Sequence, residues 1–290
     1  MNERPIVVGV DSVDTSTPAV RWAAREAVAR EAPLRIVHVL DWDGNTSRYD
    51  FDGSLFTTAR RLAEAVPAAA ADLAREAAPG VRVRTEVLIG HPAAQFLDTG
   101  DAELLVVGHR GRGGFAGLLL GSVSQRLATH ASGPVVVVRG RPDVADGPVV
   151  AGVDDSPAAD LVMDAAFDAA ARHDSHLVVI RSRPIPAMAY LAGVPVTELT
   201  TPEEDAAEHD RLLAQLAPWQ EKYPDVPVKA LLSHDSAASA LIGVSSRARL
   251  VIVGNHGHGV LAGTLLGSTG LQLLHHADCP VQIVRPLRQR

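Results

Sequence analysis

Short apolar runs alternate with longer stretches in which apolar residues recur every three or four positions. Residues 6–10, Ile-Val-Val-Gly-Val, are a continuous apolar run of the kind a parallel sheet buries on both faces. The run ends at Asp11. Ser16, Thr17 and Pro18 supply helix-start chemistry, a cap residue and then proline in the first turn. Val20, Ala23, Ala24, Ala27 and Val28 place an apolar stripe on the helix they begin. Pro33 closes it, and residues 34–40 predict a second strand. Residues 41–56, polar with Trp42, Tyr49, Phe51 and Phe56, predict an inserted loop, and 55–77 a helix stopped by Pro79-Gly80. Residues 81–88 alternate Val and Arg as a half-exposed edge strand does. A short helix over 92–99, a strand at 104–107, a helix from about Ser122 and a strand at 134–138 complete the series.

The same order then repeats. Strands are predicted at 149–153, ending at Asp154, and at 177–182, 226–232, 250–253 and 280–284. Helices are predicted at 157–172, 202–222, 236–248 and from Ser268, with a Pro-rich loop at 184–202. Residues 139–148, charged and rich in Pro and Gly, read as the linker, so the expected domains are 1–140 and 147–290. Strand and helix alternating at this density predict an α/β fold: two tandem open-sheet domains of five parallel strands each, with helices on both faces.

Each half carries one stretch that a packed element would not tolerate without a return. Residues 108–124 place glycine at 108, 111, 113, 114, 117 and 121, directly after the apolar run Leu104-Leu105-Val106-Val107. Residues 254–270 repeat this after Leu250-Val251-Ile252-Val253, and both copies carry Gly-x2-Gly-x9-Gly-Ser, 146 residues apart. Half of the positions in 108–139 are identical to those in 254–285. So much glycine costs conformational entropy, and the usual return is close approach of backbone N–H groups to an anion. Ser122 can cap the helix that follows, whose N-terminus offers unpaired donors and partial positive charge.

Composition narrows the partners. The apolar share of 47% and charged share of 21% are ordinary for a globular protein. A net charge of −7 argues against nucleic acid as the general partner. The one cysteine, Cys279, allows no internal disulfide and favours a reducing compartment. MNERPIVVGV lacks the apolar core of a signal peptide, and no apolar run approaches the roughly 20 residues that span a bilayer. A cytoplasmic chain without membrane attachment is the expectation.

The Gly-x2-Gly-x9-Gly-Ser spacing, the Val-Asp that ends the first strand and the closing strand after a Pro-Val together resemble the universal stress proteins, over nearly the whole chain and twice. The resemblance implies strand order 3-2-1-4-5 and an ATP-binding domain, with or without Mg²⁺. Its ligand crevice would lie between strands 1 and 4, where general rules for open sheets also put it. It implies that Asp11 holds the ribose or a magnesium ion, and that the backbone of Val39, after His38, meets the adenine. Gly108, Gly111, Gly121, Ser122 and Ser124 would hold phosphates, with Val107, Arg112 and Val123 adjoining. In the second half the matching positions are Asp154, Val253, Gly254, Gly257, His258, Gly267, Ser268 and Thr269. Ser182 replaces Val39 and Gly270 replaces Ser124. The function implied is nucleotide-dependent regulation of stress response or growth through an unidentified protein partner. The alternative is a slow Mg-dependent ATP hydrolase, and a third class is a structural dimerisation module. Pairing of the halves through their fifth strands as a pseudo-dimer, or of two chains as a homodimer, is also implied.

Other chemistries fit less well. A Walker loop needs Gly-Lys-Ser/Thr, and the only lysines, Lys222 and Lys229, do not follow glycine. Gly111-x-Gly113-x-x-Ala116 and Gly257-x-Gly259-x-x-Ala262 fit the dinucleotide fingerprint, but the next strands end in Arg139 and Arg285, with no acid for a ribose. No G-x-S-x-G elbow or H-E-x-x-H occurs, and no His, Cys and acid set has metal spacing. His275-His276 reads as helix surface. Arg110 and Arg112 are either phosphate neighbours or solvated loop arginines. His256 and His258 stand in their places in the second copy, which predicts a pH-dependent second site.

Overall fold

The computed structural model describes residues 4–42, 50, 53–99, 102–111, 119–144, 146–184, 201–257 and 266–285. The chain divides into two compact units, Met1–Pro142 with Arg285–Arg290, and Asp143–Val284.

The first unit runs β1 (Ile6–Val10), α1 (Val13–Ala29), β2 (Leu34–Leu40), α2 (Ser54–Ala77), β3 (Val83–Ile89), α3 (Pro92–Leu97), β4 (Leu104–Gly108), α4 (Ser122–His130) and β5 (Val135–Val138). Its strands lie in the order β3-β2-β1-β4-β5. All pairs are parallel, with Ile6 opposite Leu34 on one side and Leu104 on the other. The apolar runs are strands because both faces are covered: Ile6, Val7 and Val8 are fully buried. Burying each such side chain contributes about 1.5–3 kcal/mol. α1 packs on α2, and α3 on α4. With right-handed crossovers the reversal of direction after β3 puts these pairs on opposite faces.

Two sequence expectations for α1 are corrected. Its cap is Ser12, in extended conformation, whose side chain accepts the Thr15 N–H. Ser16 is buried inside the first turn and its Oγ accepts the Asp11 N–H at 3.1 Å. Val28, expected in the apolar stripe, is 45% exposed, while Ala19, Val20, Ala23, Ala24 and Ala27 carry the contact. The expected loop at 41–56 falls largely outside the described residues.

The second unit runs β6 (Val149–Val153), α5 (Ala158–Arg172), β7 (Leu177–Ser182), α6 (Pro202–Lys222), β8 (Val228–Ser233), α7 (Ala237–Ser245), β9 (Leu250–Gly254), α8 (Ser268–His276) and β10 (Val281–Val284). The order β10-β9-β6-β7-β8 is that of the first unit, again all parallel. α6 opens with a capping box, Thr201 and Glu204 bonding each other's backbone N–H.

A glycine in each first strand seats a helix. A β-carbon on Gly9 would stand 2.8 Å from Phe96 Cζ, and one on Gly152 would stand 2.6 Å from Leu241 Cδ1. Phe96 of α3 and Leu241 of α7 therefore settle directly on the sheet. That fixes where the N-termini of α3 and α7 reach the sheet's C-terminal edge.

Candidate functional site

In each unit the first strand lies between neighbours whose connecting helices leave to opposite faces, which opens a crevice beyond the strand ends. Asp11 follows β1 directly, and Gly108 ends β4 beside it. The glycine loop returns against this edge. Gly121 N–H donates to the His109 carbonyl at 2.7 Å, closing the loop at its base. Gly111 meets the carboxylate: a β-carbon there would lie 2.6 Å from Asp11 Oδ2. Gly111 is not among the described glycines with positive φ, so close approach and not an unusual backbone angle requires it.

Ser122 was expected to cap the following helix. The cap is Gly121, at φ −77° and ψ 151°, with no side-chain hydrogen bond to the first turn. Ser122 takes the first helical position and is exposed. The first turn of α4 therefore carries N–H groups without a side-chain cap, the arrangement that receives anions. Ser124 is buried and its Oγ donates to the Gly108 carbonyl at 2.6 Å, tying α4 to the end of β4. Val39 and Val107 are buried at the ends of β2 and β4, and Val123 is half-buried on α4. Arg112 and His258 lie outside the described residues.

The second unit brings its expected residues into one cleft of about 580 Å³, lined by Asp154, Val253, Gly254, Gly257, Gly267, Ser268 and Thr269 among others. The loop closes as in the first unit, Gly267 N–H donating to the Asn255 carbonyl at 2.9 Å. Gly267 caps α8 with no side-chain bond. A β-carbon on Gly257 would stand 2.7 Å from Asp154 Oδ2, so the glycine–carboxylate contact recurs. Asp154 Oδ1 accepts the Ser156 N–H at 2.9 Å, which fixes the carboxylate at the cleft edge. Where Ser124 would stand, Gly270 leaves room for Leu266, whose Cδ1 would lie 2.9 Å from a β-carbon there.

Sequence reasoning missed Arg181 and His109, whereas His256 was already expected at the second loop. Arg181 is next to last in β7, opposite Val153, and its guanidinium bonds Asp155 and Glu208 of the cleft wall and Gln215 beyond it. An arginine near the end of an otherwise apolar strand, ahead of the acidic start of α6, was the available signal. His256 lines the cleft with its Nε2 shielded from solvent and lacking a hydrogen-bond partner among the described residues. His109, at the base of the first loop, is held below the ordinary imidazole range, first by burial and then by repulsion from Arg110 and Arg139.

Glycine cradles against carboxylates and helix N-termini without side-chain caps define a class: an open-sheet α/β unit with a glycine loop at its switch point, present twice, with a cleft of ligand size in the second unit. The sequence profile described as "Universal stress protein family" matches residues 3–139 and again 147–285. A universal stress protein of Mycolicibacterium smegmatis is 36% identical over 293 residues, covering 98% of each chain. Universal stress protein Rv2005c of Mycobacterium tuberculosis is 35% identical, covering 97% of this chain and 96% of its own. The crystal structure of a universal stress protein from Archaeoglobus fulgidus superposes with a TM-score of 0.72 at 15% identity, covering 98% of this chain and 99% of that one. The chain belongs to the universal stress protein family, as a tandem of two family domains. No helix among the described residues is long and apolar enough to cross a membrane.

Proposed function

We propose that the units bind adenine nucleotide, ATP in the first instance, and that the protein works as a nucleotide-dependent regulator of stress response or growth. The observation that carries this reading is the second-unit cleft, which gathers a carboxylate, a glycine cradle and a helix N-terminus in about 580 Å³. Their chemistry divides one ligand into parts. An anionic carboxylate does not hold phosphate, so Asp154 and Asp11 suit a ribose hydroxyl or a magnesium ion accompanying the phosphates. The first-turn N–H groups of α4 and α8 suit the phosphates themselves. His256 Nε2, without a hydrogen-bond partner among the described residues, offers a further polar contact in the second cleft.

Binding rather than turnover is the role proposed, with the Asp154 carboxylate held at the turn by the Ser156 N–H. Regulation then acts through a protein partner that reads the occupied state. The test is to denature freshly purified full-length protein and identify what is released. Adenine nucleotide in the supernatant supports the reading. Protein that releases none, and takes up none when ATP is supplied, refutes it. Phosphate release from ATP that disappears in Asp154→Asn and Asp11→Asn would replace the regulator with a hydrolase.

A further inference from the structure

The wall of the second cleft does something the first unit's counterpart does not. Arg181 is 5% exposed in its side chain and bonds three partners, one in the turn after β6 and two on α6. Its Nη2 donates to Asp155 at 2.7 Å and Gln215 at 2.8 Å, and its Nη1 to Glu208 at 2.7 Å. Asp155 adjoins Asp154 at the end of β6, whereas Glu208 and Gln215 belong to α6. Arg183, two residues on, pairs with Glu204 at 3.2 Å and Asp205 at 3.8 Å, both in the first turn of α6. His234 Nε2 also meets Asp205, at 3.0 Å.

α6 depends on these contacts more than a helix of its length usually does. Of its 21 residues only Leu212 and Leu216 are buried. α2, its counterpart, buries Ala63, Pro67, Ala70, Ala71 and Ala74. The first-unit residue matching Arg181 is His38, opposite Val10 as Arg181 is opposite Val153, and its Nδ1 lies 2.8 Å from the Val10 carbonyl of its own sheet. Arg181, Arg183 and Glu208 all line the cleft. The side chains that seat α6 are therefore the side chains a ligand would cover. Arg181 Nε is buried with no hydrogen-bond partner among the described residues.

We infer that Arg181 is a positioning residue that couples occupancy of the second cleft to the seating of α6. This rests on the nucleotide reading above. A nucleotide in the cleft covers Asp155 and Arg183, the exposed cleft-lining members of this network, and shields their pairs from water in a lower local dielectric. The occupied cleft then holds α6 more firmly. By linkage, α6 seated on Arg181 raises affinity for the nucleotide by the same factor.

Hydrogen exchange on the full chain, with ATP as the probe, tests this peptide by peptide. Protection at 268–276 reports occupancy of the second cleft. The coupling predicts that exchange across 202–222 slows with the same ATP midpoint, by about fivefold or more, and that 54–77 does not follow. In Arg181→Met, and in the milder Glu208→Gln, the response of 202–222 is lost and the midpoint at 268–276 moves to higher ATP by a similar factor. Protection at 268–276 with no change in 202–222 overturns the coupling and leaves the nucleotide reading intact. Equal protection of 54–77 and 202–222 overturns the role of Arg181. Absence of any protection at 268–276 overturns both readings of this cleft.

Discussion

Gly111 lies against Asp11 so closely that a β-carbon would stand 2.6 Å from Oδ2 of the carboxylate, and Gly257 repeats this against Asp154 at 2.7 Å. Real β-carbons do not approach a carboxylate oxygen so nearly, so any side chain at either position pushes the loop or the carboxylate away. Gly257 and Asp154 both line the second-unit cleft.

Gly111→Val and Gly257→Val should therefore each lower ATP affinity at their own unit by about tenfold or more while the fold persists. Overpacking of this kind costs about 1–3 kcal/mol. The check is ATP titration of each variant beside its circular dichroism. Unchanged affinity would reduce the glycine–carboxylate contact to a feature of turn geometry.

Gly9 concerns stability instead. A β-carbon would stand 2.8 Å from Phe96 Cζ, so Gly9→Ala should lift α3 and destabilise the first unit by about 1–3 kcal/mol. Phe96→Leu in the same chain should recover part of the loss, because a shorter side chain frees the space. Denaturant melts of the two variants decide it, and equal midpoints would show that the ring moves aside freely.

His109 should make the first unit acid-sensitive. Burial, then Arg110 and Arg139, hold its folded-state value below the ordinary one. An unfolded chain takes up this proton near pH 6.5, the folded unit only at lower pH. Between those values the unfolded state binds more protons, so stability falls as pH drops through the window. His109→Asn, which installs the residue the second unit has at position 255, should flatten the fall. Thermal melts from about pH 7 to about pH 5 compare the slopes. Parallel slopes for wild type and variant would remove His109 as the cause.

His256 Nε2 lines the second cleft without a hydrogen-bond partner among the described residues. His256→Ala should weaken ATP there by about tenfold, the worth of one hydrogen bond to a charged group. Affinity at the first unit should not move. A titration that resolves the two units tests this, and equal loss at both would point to a general effect on the fold.

The alternation of apolar runs with helical stripes made the fold legible, because a parallel strand buried on both faces needs an unbroken run such as Ile6 to Val8. The repeated glycine spacing made the loops legible for a similar reason: close approach to Asp11 and Asp154 admits only glycine. What stayed hidden depended on where side chains turn. Ser16 looks like a cap, but it folds inward onto the Asp11 N–H, and Ser12 caps instead. Ser122 looks like a cap, but Gly121 already holds that conformation. Arg181 meets partners 26, 27 and 34 residues away, a distance no local pattern reports. His109 is perturbed by burial and by Arg139, which reaches it only through the pairing of β4 with β5.

Equilibrium dialysis of ATP against the full-length protein, beside Asp154→Asn and Gly257→Val, tests the central claim most directly. Two clefts that hold adenine nucleotide predict saturable binding that exceeds what either second-unit variant retains. Binding that is unsaturable, or that neither substitution reduces, would contradict the assignment of the second-unit cleft as a nucleotide site.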